Sequence, residues 1–288
     1  MEIIPQLIVN SIIAGAIYMM IALGFNLIFS TVKFFDLGFG ALAAVGGYTT
    51  FYFSNRLGWN IFVAVALGVL VAGLIGFLIN KFVYTRLSKN KASSMVMLVA
   101  SLGVLTAVQA VIAMLFTSQF QVLSSVLSAT KVYNIYTAAI TEIQLIILAS
   151  GLIIAAGLAL LLKWTKFGRA VRAIGDDREV SEIVGIDTRK VIGRIFFIGS
   201  AIAGLAGVLF GLDTGIEPTM GLSLLLKGVI ASIIGGVGNV WGGVAGAFIL
   251  GFVENFGIWK ISGEWKDAIA FGVLIVFLLF RPNGLFRK

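Results

Sequence analysis

The chain has 288 residues, of which 59% are hydrophobic and 12% charged, and its net charge is +8. A soluble globular chain carries about 25% charged residues, so this one has too little polar surface to coat a water-facing body. Cysteine and histidine are both absent, which excludes a disulfide framework, a Cys/His metal site, a cysteine nucleophile and a Ser-His-Asp triad.

A helix crosses the hydrocarbon layer with about 20 apolar residues, and the stretches between charged residues supply the candidates. Ile3–Val32 is an uncharged run of 30 residues. No basic region precedes it, since Lys33 is the first positive residue, so a retained span is expected rather than a cleaved leader. Leu37–Asn55 is a shorter, Gly-rich second segment, and Leu57–Asn80 is the third. Ala92–Thr130 is uncharged throughout, but its apolar part ends near Phe116 and the remainder is polar and Ser-rich. Ile143–Leu162 and Ile195–Leu212 follow. The run Gly228–Val253 is interrupted by Gly235-Gly236-Val237-Gly238-Asn239. It reads as a short inbound piece near Leu224–Ile234 and an outbound span near Val240–Ile258. The last segment, Ala268–Phe280, has only 13 residues and needs Lys266 and Arg281 to snorkel to the interfaces. The expected fold is therefore all-α: a polytopic membrane helical bundle of about 8–9 segments, forming a single domain over residues 1–288.

Lys and Arg set the orientation. With nine segments and the N-terminus outside, 16 basic residues fall in inside loops and 5 outside, the latter being Arg56, Lys131, Lys227, Lys260 and Lys266. Arg281, Arg287 and Lys288 belong to the inside set. On a soluble protein a +8 charge would suggest nucleic acid; here orientation in the bilayer explains it, so lipid is the expected partner and nucleic acid is not.

Helices in lipid pack closely through small residues four apart. Such stripes run through Ala64, Gly68, Ala72 and Gly76, through Gly199, Ala203, Gly207 and Gly211, and through Gly243, Ala247 and Gly251. Non-helical backbone at membrane depth is tolerated only inside protein or along a water-filled cavity, and Gly-interrupted segments point to a transport path. Gly235, Gly236, Gly238 and Asn239 are therefore path candidates. Ionisable and polar groups within spans add Glu254, Asn26 and Gln109. For Glu254 the plainer reading is an inter-helix hydrogen bond or ion pair near the outer interface; for Asn26 and Gln109 it is helix–helix adhesion. Asp36 reads as a surface partner of Lys33.

The longest charged stretch is Lys166–Val191, and the small helix within it is far too short to cross the bilayer. The stretch predicts one small cytoplasmic helix of about nine residues: Asp176 as N-cap with Glu179 three residues on, Val180, Ile183 and Val184 on one face, Arg178 and Glu182 as an i,i+4 pair, and Gly185 as the stop. A connecting or lipid-surface helix is one reading. Its mixed charges, with Asp176, Asp177, Glu179 and Glu182 clustered, favour a protein partner instead.

At this point a resemblance becomes specific. Gly168-Arg169-Ala170, Arg172-Ala173 and Gly185-Ile186 resemble the cytoplasmic coupling loop of ABC importer permeases. The Gly235–Asn239 run and the ending Arg281-Pro282-Asn283-Gly284-Leu285-Phe286 extend the resemblance to the branched-chain amino acid permeases. The Glu-Ala-Ala signature of the usual loop is absent, with Arg172-Ala173 and Asp176/Asp177 in its place. The resemblance implies a non-enzymatic subunit of the cytoplasmic (inner) membrane. It also implies a second similar permease, two ATP-binding subunits, an extracytoplasmic substrate-binding protein, and no cofactor of the chain's own. Consistent with this, the sequence has no G-x-x-x-x-G-K-[ST] loop with which to hold ATP. An ion-coupled carrier and an ABC permease for urea or amides are the alternatives.

Overall fold

The computed structural model describes residues 3–123, 131–135, 138–259, 262–281 and 284–286. Part of the Ser-rich stretch (124–130), Lys260, Pro282, Asn283, Arg287 and Lys288 lie outside the described residues.

The chain is a helical bundle. Helix α1 (Ile3–Val32) is followed by α2 (Gly38–Phe51), which runs on into a π-helical turn, Tyr52–Arg56. Helix α3 (Ile61–Ile79) leads through a second π turn, Asn80–Tyr84, into α4 (Thr85–Lys89), and α5 (Ser94–Phe116) follows. After α5 comes a small antiparallel hairpin of β1 (Val132–Ile135) and β2 (Ala138–Thr141), with Val132 opposite Thr141; the sequence reading contained no strand. Then come α6 (Glu142–Trp164), α7 (Lys166–Asp176), α8 (Arg178–Ile183), α9 (Thr188–Thr214), α10 (Met220–Gly235), α11 (Val240–Gly257) and α12 (Lys266–Phe280). Among the described residues, six helices are long and apolar enough to cross a membrane: α1, α3 with its continuation to Lys89, α5, α6, α9 and α11. The chain is thus a multi-pass, all-α membrane protein. Helices α2, α10 and α12 are shorter; α2 and α10 are packed among the six, and α12 lies on the outside against α11 and α10.

Side-chain caps fix where several helices start. Asn60 accepts from the Phe62 amide, Ser93 from Val96, and Thr141 with Gln144 forms a reciprocal capping box at α6. The hairpin just ahead of α6 is tied to α1 through Gln6, whose side chain bonds the backbone of Ala139.

Helix α1 is the axis of the bundle. From Gly15 to Ile28 every residue is buried, which is why the segment has no polar face and no amphipathic period. It packs on α11, α9, α10 and α6. Helices α3, α5 and α6 lie at the periphery and leave Phe62, Leu70, Val99, Met114 and Ile153 exposed, the surface expected to face lipid.

The small-residue stripes sit where backbones meet. A Cβ at Gly207 would collide with Ala43, one at Gly204 with Ala72, one at Gly246 with Ala231, and one at Gly251 with Ser11 and Gly15. In lipid, where apolar burial supplies no drive between helices, such close approach is the main source of adhesion. Most of the 35 glycines that cost helix propensity are thereby accounted for by packing.

Candidate functional site

Three arrangements gather the polar residues of this chain. The first is the charged stretch Lys166–Val191, where two helices replace the single one expected. Thr165 caps α7 by accepting from the Gly168 amide. Gly168, Val171, Ile174 and Gly175 are buried on one face; Gly175 lies against the Ser30 carbonyl near the end of α1. Lys166, Arg169 and Arg172 are exposed on the other face, and the Arg172 guanidinium donates to the Leu162 carbonyl.

The chain then turns in extended conformation at Asp177 and starts α8. Here the expected register is corrected by one residue. Asp176 is the last residue of α7, and Asp177 is the cap of α8, accepting from the Glu179 amide at 2.8 Å and the Val180 amide at 3.0 Å. The geometric reason is that α7 continues to Asp176, so only the next residue has the extended backbone an N-cap requires. Gly185, at φ +88°, ends the element as expected.

Helix α8 is tied to the body at one side and bare at the other. Ser181 is buried and bonds the Asp177 carbonyl. Glu182 accepts from Thr188 at 2.6 Å and pairs with Arg178 at 3.3 Å. The hydrogen bond from Thr188, with that from Arg178 second, holds the Glu182 carboxyl below the usual carboxylate range. The Lys190 side chain and amide do the same for Asp187. Arg178 also reaches Ser88 of α4 at 3.4 Å. On the outer side Val180, Ile183 and Val184 stand 53%, 83% and 68% exposed.

The second arrangement is the Gly break. Helix α10 stops at Gly235; Gly236 and Gly238 have φ of +108° and +83°, conformations that favour glycine. Asn26 of α1 holds this turn, accepting from the Gly238 amide at 3.0 Å and donating to the Asn239 carbonyl at 3.3 Å. Asn239 in turn caps α11 through the amides of Trp241 and Gly242. The C-terminal stretch completes the clamp: the Leu285 and Phe286 amides donate to the carbonyls of Ile234 and Gly235 at 2.9 and 3.1 Å. Two stretches that are separate motifs in the sequence are thus one unit, which satisfies carbonyls orphaned at a helix end. Gln109 does not join it, and lies half-buried on α5.

The third is a buried charge cluster around Glu254, which is fully buried. Tyr18 of α1 donates to its Oε2 at 2.6 Å. Lys227 of α10 lies 3.6 Å from Glu254 and 3.1 Å from Asp267 of α12, and Lys266 lies 3.9 Å from Glu254. Four helices are joined through these groups. Lys227 therefore lies within α10 and not in an outside loop. Sequence reasoning missed Tyr18, Lys227 and Asp267; the rule that ionisable groups within spans need partners applies to Lys227 as much as to Glu254.

Asp36 is also corrected. It is 3% exposed and takes a hydrogen bond from Tyr84, rather than pairing with Lys33 at the surface. Tyr84 ends the second π turn and packs its ring against Phe34 and Phe196; this bulge carries the hydroxyl inward to the start of α2.

Comparison with known proteins agrees with this architecture. Residues 7–278 match the family described as branched-chain amino acid transport system, permease component. The high-affinity branched-chain amino acid transport permease BraD of Pseudomonas aeruginosa is 27% identical over 98% of this chain and 95% of its own length. LivH of Escherichia coli is 28% identical with the same coverage, and the probable LivH of Methanocaldococcus jannaschii is 24% identical over 96% of this chain and 90% of its own. These relatives are transport permeases, not enzymes, and the family carries no cofactor of its own. The chain belongs to the branched-chain amino acid permease family of transport systems.

Proposed function

We propose that this chain is one membrane subunit of an ATP-driven importer for branched-chain amino acids in the cytoplasmic membrane. It pairs with a second similar permease, two ATP-binding subunits and an extracytoplasmic binding protein. The substrate class follows from the names of the full-length relatives, and the chain itself has no loop to hold ATP.

The observation that carries this reading is α8. A six-residue helix that is capped, stopped by a left-handed glycine and tied to α9 and α4 nevertheless leaves three apolar side chains in solvent. An apolar anchor on a rigid, mixed-charge helix fits a groove on a partner protein. Movement of such a partner displaces α8 and, through Arg178 and Ser88, the α4–Tyr84 segment that bonds Asp36 at the start of α2. That motion rocks the spans on either side and opens the path inward or outward in turn.

The polar atoms of Asn26, Gly238 and Asn239 are used on one another and on the C-terminal stretch. We assign them, with Gly235 and Gly236, to a hinge at the inner end of the α10–α11 hairpin rather than to substrate contact. Glu254, near the far end of α11, ties that helix to the middle of α10 and of α1, so an ion-coupling role would require it to leave Tyr18 and Lys227. Gln109 remains the path candidate. Gly185→Trp tests the coupling role: in reconstituted transporter it should abolish uptake while membrane insertion and subunit assembly persist. Undiminished uptake would remove α8 from the mechanism.

A further inference from the structure

Beside the hinge, at the cytoplasmic end of α6, lies a cavity of about 650 Å³ between α1, α6, α7 and the start of α11. Its wall is mostly apolar, with Leu27, Ala156, Ala159, Leu160 and Val171 along it and the polar Asn26, Ser30 and Asn239 at the hinge side. Lys163 and Arg172 stand on its rim, and no Asp or Glu is among the described residues that line it. Trp164 and Trp241 also line it and are 75% and 63% exposed, as expected of indoles at a membrane–water boundary.

We infer that this cavity is a binding site for an acidic phospholipid of the inner leaflet, with the headgroup phosphate between Lys163 and Arg172 and acyl chain along the α6 wall. Several independent features converge on a lipid. The charge is of one sign and paired with an apolar trough, which complements an anionic amphiphile and not a zwitterionic amino acid. Basic pockets between membrane helices on the cytoplasmic side recognise acidic headgroups. Helix α7, which supplies Val171 and Arg172, has the form of an interfacial helix: one face buried, and Lys166, Arg169 and Arg172 on the other. The site also explains why the coupling loop begins with a second helix that the docking function does not need. A lipid bound there would anchor α7 against the end of α1 while α8 remains free to meet its partner.

The test is native mass spectrometry of the full-length purified chain, delipidated and titrated with dioleoyl phosphatidylglycerol or dioleoyl phosphatidylcholine, alongside thermal unfolding in the same mixtures. Wild type should retain phosphatidylglycerol selectively, and that lipid should raise its unfolding temperature. The double variant K163Q/R172Q should bind it about thirtyfold more weakly, at about 1 kcal/mol for each of the two basic residues near a headgroup. K163R, which keeps the charge, should bind like wild type and so controls for misfolding. Inorganic phosphate at millimolar concentration should fail to displace the lipid; displacement would mean a free-anion site. Equal retention of both lipids, or undiminished binding by the folded double variant, would overturn the inference. So would a chain that retains neither lipid, which would leave the cavity to a protein neighbour.

Discussion

Helices α7 and α8 are neighbours in one charged loop and are built for opposite tasks. Helix α7 buries its apolar side against α6 and the end of α1 and exposes Lys166, Arg169 and Arg172. Helix α8 buries a serine and exposes Val180, Ile183 and Val184. A basic face over an apolar trough suits a lipid surface; an apolar face flanked by both charge signs suits a protein groove. On the proposed reading, one loop divides membrane anchoring from coupling, and the extended residue Asp177 is the joint between the two helices.

The comparison can be broken most severely at the exposed apolar face. Ile183→Asp should lower uptake at least tenfold while assembly in the membrane is retained, because it puts a charge into a desolvated contact. Arg169→Gln, on the exposed face of α7, should leave uptake within a factor of two. If both variants lose uptake equally, the division of labour is wrong. A smaller effect is expected at the joint. Asp177→Ala removes the cap of α8 and should cost about 1 kcal/mol of local stability, read as faster hydrogen exchange of the Glu179 and Val180 amides. Asp176→Ala leaves the Asp177 cap in place and should change those rates less than Asp177→Ala does.

The smallest effect concerns pH. The Glu182 carboxyl is held low by Thr188 and Arg178, so the stability it contributes is fully present above its unfolded value of about 4.3 and is lost only as pH falls through the lower folded value. Amide protection of α8 should therefore be flat between pH 5 and 8. A loss near pH 6 would mean that some other group holds α8.

Much of this was legible in the sequence, for physical reasons. Long uncharged runs, the Gly235–Asn239 break and the Gly185 stop each reflect a strong local constraint. What the sequence did not reveal depends on contacts between distant segments. Asp176 and Asp177 are equivalent as caps until the length of α7 is known. Asp36 reads as a surface residue until the π turn brings Tyr84 to it. Lys227 reads as a loop residue because its partners, Glu254 and Asp267, lie on two other helices. The joining of the C-terminal stretch to the break likewise depends on backbone hydrogen bonds, which leave no mark on residue type.

The chain's lack of cysteine permits the most direct measurement of the central claim. A single Ile183→Cys or Arg169→Cys variant, co-expressed with the ATP-binding subunit and treated with a short thiol–amine cross-linker, reports which helix the ATPase touches. The account predicts a cross-linked permease–ATPase product from Ile183→Cys and little or none from Arg169→Cys. The reverse pattern, with Arg169→Cys captured and Ile183→Cys untouched, would contradict it.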